Sequence, residues 1–285
     1  MLTRAWSVAG LALLGAALCL AAPDVSVAVS AQPPPVPAAP DPRFAGLQWG
    51  FVRIHYTAWT MPPRRGLSPL DEPWYIDAPA AEWNLSRRLR TATAIQVNDP
   101  IDLRIEDPEL FNHPWIYIVE GGNLRLNERE VAILREYLLR GGTLTFDDFH
   151  GPIEWANVES EMKRVFPNRS FIDLPKEHPI FSCFYKLPDG FPQTPGLGSF
   201  LQGRTWEKGG YVAHLRAIED DSGRAMVLAN WNVDMGDGWE WSNAAEYPGY
   251  VKYTAMAYRM EINEIIYSLT PVSYTHLTLP TKRIV

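Results

Sequence analysis

The sequence predicts an α/β fold with three layers, in which a mainly parallel sheet carries helices on both faces. Strand-like and helix-like segments alternate along the chain, and the run Trp115–Val119 (WIYIV) is continuously apolar, as expected for a strand that is buried on both faces. The predicted strands cover residues 51–56, 101–105, 115–119, 143–147, 171–174, 212–218 and 225–229, and the predicted helices cover residues 82–89, 128–140, 152–165 and 250–269.

Two of these helices have clear start and stop signals. Asn127 with Glu130 three residues later is typical of a helix N-terminus, and the pair Gly141-Gly142 is typical of a helix end. Pro152 favours the first turn of the next helix, where its missing N–H costs nothing. The alternation of helices with strands is therefore supported by capping as well as by hydrophobic spacing.

The N-terminal segment, residues 1–31, has the pattern of a signal peptide. Arg4 supplies a positive charge, residues 8–22 form an uncharged apolar run that is short for a membrane span, and a small-residue sequence ends at Ala31. A retained membrane anchor is the alternative. Lipid attachment at Cys19 is disfavoured because Leu18 precedes it. We therefore expect a protein that is exported to the periplasm or the extracellular space, with no membrane span after cleavage.

Proline-rich residues 32–43 are predicted to be an extended linker. Residues 44–270 are then long enough for a single α/β domain with a substantial core. Residues 271–285 follow the last helical pattern without continuing it, and they resemble a translated adaptor. We interpret them as a non-native tail.

Charge and cysteine content exclude several kinds of protein. The net charge of −7 gives no basic surface for a phosphate backbone, which argues against a nucleic-acid partner. Cys183 is the single cysteine after residue 31, so an internal disulfide and a cysteine metal cluster are both excluded for the mature chain. Because Cys183 lies in an apolar run, a buried structural thiol is favoured over a nucleophile.

Five motifs together resemble a known bacterial family, namely DPELF (107–111), EYLLRGG (136–142), DDFHGP (147–152), HPIF (178–181) and DGWEW (237–241). On these motifs the chain is similar to the domain-of-unknown-function 4159 family, and the similarity covers roughly residues 51–270. That resemblance implies a flavodoxin-like fold of the kind found in class I glutamine amidotransferases. It also implies a role in the cell envelope, but no particular activity.

One candidate site follows the strand that ends at Val119. Glu120, Gly121, Gly122 and Asn123 form a turn in which two glycines let the backbone bend tightly and bring its amide groups close to a ligand. The alternative is a glycine turn with no further role.

A second candidate site follows the next strand, where Asp147, Asp148, His150 and Glu154 bring three carboxylates and an imidazole within eight residues. Such a cluster suits acid–base chemistry or a divalent metal, although no metal ligand is assigned and no cofactor is predicted. Adjacent aspartates point to opposite sides of a continuing strand, so Asp147 and Asp148 are not expected to share one ion. The alternative is that one aspartate caps the helix that begins at Pro152.

The sequence argues against glutamine amidotransferase activity. That chemistry needs a cysteine on the sharp turn from strand to helix, and residues 147–152 contain neither cysteine nor serine. The histidines that precede proline, His113 and His178, are typical of loop packing.

Two further patterns suggest binding. Tryptophans predicted to lie in or beside loops are suited to stacking on sugars or packing against partner proteins; they are Trp59, Trp74, Trp83, Trp206, Trp231, Trp239 and Trp241. Residues 234–241 have the acidic and glycine spacing of a calcium loop, but they lack the ligand pattern of an EF-hand.

These observations favour a non-catalytic envelope module that binds a polar small molecule, a glycan or an envelope protein. A hydrolase that uses Asp147, Asp148 and His150 is the alternative. The absence of a recognisable nucleophile favours the binding module.

Overall fold

The computed structural model describes residues 46–58, 72–243 and 245–270. The predicted signal peptide (1–31), linker (32–43) and tail (271–285), as well as Trp59, lie outside the described residues.

Eleven strands and six α-helices are found in the described residues. The strands are β1 (Gln48–Trp49), β2 (Val52–Ile54), β3 (Thr57–Ala58), β4 (Gln96–Val97), β5 (Ile101–Leu103), β6 (Trp115–Val119), β7 (Leu124–Arg125), β8 (Thr143–Phe149), β9 (Ile172–Asp173), β10 (His214–Glu219) and β11 (Ala225–Trp231). The α-helices are α1 (Ala80–Ala92), α2 (Glu128–Leu139), α3 (Gly151–Val165), α4 (Leu197–Leu201), α5 (Met235–Glu240) and α6 (Val251–Leu269).

Seven strands form one mixed sheet in the order β5-β2-β6-β8-β11-β10-β9. The first five are parallel to one another, whereas β10 is antiparallel to both β11 and β9. Two small sheets, β1-β4 and β3-β7, lie outside it. The prediction of an α/β fold with a mainly parallel sheet is confirmed.

The sheet separates two hydrophobic cores, and successive residues of β6 alternate between them. Trp115, Tyr117 and Val119 pack with buried residues of α1, α5 and α6, while Ile116 and Ile118 pack with those of α2 and α3. All five β6 side chains are fully buried, which explains the unbroken apolar run. Helices therefore cover both faces of the sheet.

Helix α2 begins and ends where its signals predict. The Asn127 side chain accepts hydrogen bonds from the Arg129 and Glu130 amides at 2.9 Å, and the Glu130 carboxylate accepts one from the Asn127 amide at 2.8 Å. This reciprocal capping box satisfies amides that the first helical turn leaves without partners. Gly141, at φ 111°, follows the last turn in a backbone conformation that suits glycine.

Some predicted boundaries and placements were wrong. Helix α1 is longer than residues 82–89, and β8 continues through Phe149. Trp83 and Trp239 lie within α1 and α5 rather than in or beside loops, and Trp239 is fully buried, whereas Trp231 ends β11 beside a loop. Most of residues 234–241 form the short helix α5, with Asp234 as its N-cap, and not an extended loop. Across the described residues, no helix combines the length and apolar character that crossing a membrane requires.

Candidate functional site

Parallel strands place the residues that follow them at one edge of the sheet, which we call the carboxyl edge. Tyr56 follows β2, Glu120 follows β6, His150 follows β8 and Asn232 follows β11. The Tyr56 hydroxyl donates to the Val119 carbonyl at 3.0 Å and to the Glu120 carbonyl at 2.9 Å, which joins the ends of β2 and β6. The two strand ends singled out in the sequence, those of β6 and β8, are also neighbours, because Val119 pairs with Asp147 and the Glu120 amide donates to the Asp147 carbonyl at 3.0 Å.

Asp147 is a structural anchor at this edge. Its Oδ2 accepts hydrogen bonds from the Tyr117 hydroxyl at 2.9 Å, the Met235 amide at 3.0 Å and the Gly236 amide at 2.9 Å. Burial raises the pKa of Asp147 to about 6, although these hydrogen bonds oppose the shift. The two amides belong to the first turn of α5, so Asp147 satisfies the N-terminus of that helix.

The predicted aspartate cap of the next helix was therefore wrong. Helix α3 has His150 at its N-cap position, without a side-chain cap. Its first turn is served instead by Glu154, whose Oε2 accepts from the His150 amide at 2.6 Å. Neither Asp147 nor Asp148 reaches these amides, because Asp147 points toward α5 and Asp148 toward the His150 ring.

Asp148 and His150 form a buried pair, in which Asp148 Oδ1 lies 3.0 Å from His150 Nε2. Asp148 has φ 50°, a left-handed conformation that few non-glycine residues adopt. Burial and then the nearby carboxylate of Asp147 raise the pKa of Asp148 well above its usual value, and burial lowers the pKa of His150. Both shifts favour the uncharged forms.

Lys208 links the first turn of α3 to the turn after β6. Its ammonium lies 2.7 Å from Glu154 Oε1 and 3.6 Å from Glu120 Oε2. Burial, with the Asp148 carboxylate as a second cause, raises the pKa of Glu120 to about 8. Burial opposes the charge of Lys208, but Glu120 and Glu154 outweigh it and raise its pKa.

Solvent exposure falls steadily through this group of side chains. The Lys208 side chain is 44% exposed, those of Glu120 and Glu154 are 20% and 17% exposed, that of Asp148 is 10% exposed and that of His150 is 1% exposed. A ligand would therefore reach Lys208 first, with the Asp148–His150 pair behind it.

The glycines of the predicted turn serve close packing. Residues 121–123 form a short 3-10 helix, and Glu120 before it has φ 51°. A Cβ on Gly121 would lie 2.7 Å from the Phe146 ring, and one on Gly122 would lie 2.5 Å from Glu154 Cβ. The Asn123 side-chain amide donates to Glu120 Oε2 at 3.1 Å. The turn thus lets α3 pack closely against it and holds the Glu120 carboxylate in place.

Three further carboxylates were not singled out as site residues in the sequence. Asp77 lies just before α1 with φ 67°, and Asp234 and Asp237 begin α5. One carboxylate oxygen each from Asp77, Asp148 and Asp234 lie within 4.8 Å of one another, and so do those of Asp77, Asp237 and Glu240. The acidic spacing of residues 234–241 is visible in the sequence, but no sequence pattern marks Asp77 or Lys208 as site residues.

Other candidate residues lie away from this edge. Burial raises the pKa of the Cys183 thiol to about 12, so it is protonated near neutral pH, and its Sγ contacts the Asn263 carbonyl oxygen at 3.3 Å. His178 Nδ1 accepts from the Ile180 amide at 3.3 Å, which is a loop-packing role. Neither residue contributes to the carboxyl edge.

The fold and this edge together define an α/β protein with a cluster of desolvated ionisable groups at the ends of its parallel strands. Residues 51–269 match the model of the family described as domain of unknown function (DUF4159), and the chain belongs to that family. No match is found among curated proteins.

Proposed function

We propose that the protein is an exported cell-envelope module that binds a polar ligand at the carboxyl edge without transforming it. The observation that carries this proposal is Lys208, a partly exposed ammonium between Glu120 and Glu154, with the buried Asp148–His150 pair behind it. Keeping charged groups in a desolvated site costs free energy, and such clusters concentrate at functional sites.

The ligand class follows from the donors and acceptors. Lys208 offers a cation to a carboxylate or hydroxyl group, while Glu120 and Glu154 offer acceptors to an amine, amide or hydroxyl group. A glycan or a peptidoglycan fragment carries both kinds of group. An envelope protein would have to present the same groups on an exposed loop.

We also propose that the fold is flavodoxin-like and similar to that of class I glutamine amidotransferases. If β2, β5, β6, β8 and β11 are numbered one to five, the parallel strands have the order 2-1-3-4-5, which is the flavodoxin-like order. In such sheets ligands bind where the strand order reverses, here between β2 and β6. The position supports the assignment of Glu120 to the site.

Export rests on the sequence of residues 1–31, so we expect the mature chain to begin at or near Gln32, outside the cytoplasm. Mass spectrometry of the N-terminus of the protein recovered from each cell fraction measures this directly. An intact Met1 on a cytoplasmic protein would show that the segment is not a cleaved signal peptide.

Ligand binding is tested by thermal unfolding, once in EDTA and once with millimolar CaCl₂, with oligosaccharides, peptidoglycan fragments, short peptides and amino acids. A ligand at about one hundred times its Kd adds about 2.7 kcal/mol, or roughly 5–10 °C in a domain of this size. We expect one class to stabilise wild type and Lys163→Met equally, since Lys163 is an exposed lysine bonded to the Arg169 carbonyl. Lys208→Met should weaken binding at least tenfold. The proposal is contradicted if a ligand stabilises all three proteins equally. It is also contradicted if no class of ligand stabilises wild type under either condition.

One observation favours hydrolysis as a second candidate. With a pKa of about 8, Glu120 is protonated near neutral pH, beside an imidazole whose Nε2 is held by Asp148. A proton donor next to a neutral base is the arrangement that general acid–base catalysis needs. Analysis of the same mixtures by mass spectrometry for products tests this candidate. Turnover by wild type that is lost in Glu120→Gln supports a hydrolase, whereas the absence of any product supports the binding module.

A further inference from the structure

Asp77, Asp148 and Asp234, which we call the acidic trio, come from three separate parts of the chain. Asp77 precedes α1, Asp148 lies near the end of β8, and Asp234 is the N-cap of α5. Each offers a carboxylate oxygen within 4.8 Å of the other two. Convergence of this kind on one point needs the whole fold and does not arise from local sequence.

Within the described part of the chain, no lysine or arginine forms an ion pair with any member of the trio. Asp148 Oδ1 contacts His150 Nε2, and Asp234 Oδ1 accepts from the Asp237 amide at 2.7 Å. Three carboxylates that share a desolvated space repel one another, so a proton or a cation must neutralise them.

One buried polar atom of the trio indicates a missing partner. Asp77 Oδ2 is shielded from solvent and has no hydrogen-bond partner among the described residues. A buried polar atom in this state costs about 1–3 kcal/mol unless a ligand or water satisfies it.

Two glycines leave room beside these carboxylates. A Cβ on Gly236 would lie 2.1 Å from Asp77 Oδ2, and one on Gly196 would lie 2.7 Å from Asp234 Oδ2. Any larger residue at either position would displace the carboxylate. The trio therefore depends on backbone that approaches it closely from two sides.

We propose that Asp77, Asp148 and Asp234 bind one hard divalent cation, with Ca²⁺ the best match. The donors are all oxygen atoms, which hard cations prefer. Ca²⁺ takes oxygen ligands at about 2.3–2.6 Å in a flexible geometry, whereas Mg²⁺ demands a near-ideal octahedron and keeps several waters. Three carboxylate oxygens that lie within 4.8 Å of one another can share one Ca²⁺ ion without meeting a strict geometry.

This inference rests on the proposed function, because it names an ion at the same carboxyl edge. The ion would neutralise the carboxylates behind Lys208. Its remaining coordination positions would accept water or hydroxyl and carboxylate oxygens of a polar ligand, as Ca²⁺ with six to eight ligands allows.

Isothermal titration of the full chain, stripped with EDTA and then titrated with CaCl₂ or MnCl₂, tests the site. We expect wild type to bind one ion with high occupancy. Asp77→Asn and Asp234→Asn should each weaken binding at least tenfold. Asparagine also caps helices, so Asp234→Asn should keep α5 intact. Asp189→Asn, which changes an exposed aspartate elsewhere, should bind as wild type does.

Far-ultraviolet circular dichroism and urea unfolding in EDTA confirm that each variant is folded before its titration is interpreted. The proposal is overturned if wild type binds neither ion at millimolar concentration, or if both trio variants bind as tightly as Asp189→Asn. Protons then neutralise the trio. The ligand screen for the proposed function is performed both in EDTA and with CaCl₂. Ligand binding without the ion, ligand binding that needs the ion and failure of the ion itself to bind are therefore separate results.

Discussion

The free energy of unfolding should fall as the pH rises from about 5 to about 9, and Glu261→Gln and Glu264→Gln should remove most of that fall. Both glutamates project from α6 and are completely buried. No lysine, arginine or histidine of the described residues forms an ion pair with either carboxyl group. Thr145 donates to Glu264 Oε2 at 3.4 Å, and the Asn230 side chain lies beside both groups.

The sign of this effect follows from the folded-state pKa values. Burial, with the carboxylate of Glu264 next in size, raises the pKa of Glu261 well above its usual value. Burial and the nearby carboxylate of Asp147 do the same for Glu264. A raised pKa means that the folded state holds its protons more tightly than the unfolded chain. The stabilisation is complete below the unfolded pKa of about 4.3 and is lost as the pH rises through the folded pKa.

The expected size is large because each pH unit between the unfolded and the folded pKa of a group costs about 1.4 kcal/mol. At about pH 8 the free energy of unfolding of each glutamine variant should exceed that of wild type by roughly 2 kcal/mol or more. Near pH 4 the two values should differ little. The gain of the double variant should be smaller than the sum of the single gains, since the Glu264 carboxylate raises the pKa of Glu261.

Urea unfolding across this pH range measures the effect, and Glu159→Gln, at an exposed helix position, is the matched control. A flat profile for wild type, or an equal slope in the glutamine variants and the control, would show that these carboxyls do not carry the pH dependence. Other groups with raised pKa values, among them Glu120 and Asp147, leave a smaller slope in the double variant.

Much of the fold could be predicted because local signals and packing agree. The apolar run of β6 is buried on both faces, and the Asn127–Glu130 capping box begins α2 as its sequence predicts. The carboxyl-edge positions of Glu120 and Asp148 follow from the strand assignments, since parallel strands end at one edge. Candidate residues after β6 and β8 were therefore found from the sequence.

The rest depends on contacts between distant parts of the chain. Asp77 and Lys208 lie in segments without periodicity, and the fold alone places them beside Asp148. Glu261 and Glu264 look like ordinary helix residues, since charge on a helix usually faces solvent. The two-residue strands β1 and β4 are too short for a hydrophobic pattern.

The second large effect concerns Asp148, whose substitution should abolish ligand binding without lowering the free energy of unfolding. The Asp148→Asn substitution keeps the size of the side chain and an oxygen for the His150 contact, and asparagine tolerates the left-handed φ of 50°. It also removes a carboxyl group whose pKa burial raises well above its usual value. We expect polar-ligand binding to be lost while the fold becomes no weaker, because sites held for binding are commonly costly to the fold.

The most direct measurement of this claim is the free energy of unfolding of Asp148→Asn in EDTA at about pH 8, compared with wild type and with Asp189→Asn. The carboxyl edge is a functional site in this account, so the value for Asp148→Asn should equal that of wild type or exceed it by about 1 kcal/mol or more. A loss of about 1 kcal/mol or more would mean that Asp148 stabilises the fold, and it would contradict the assignment of this edge to ligand binding.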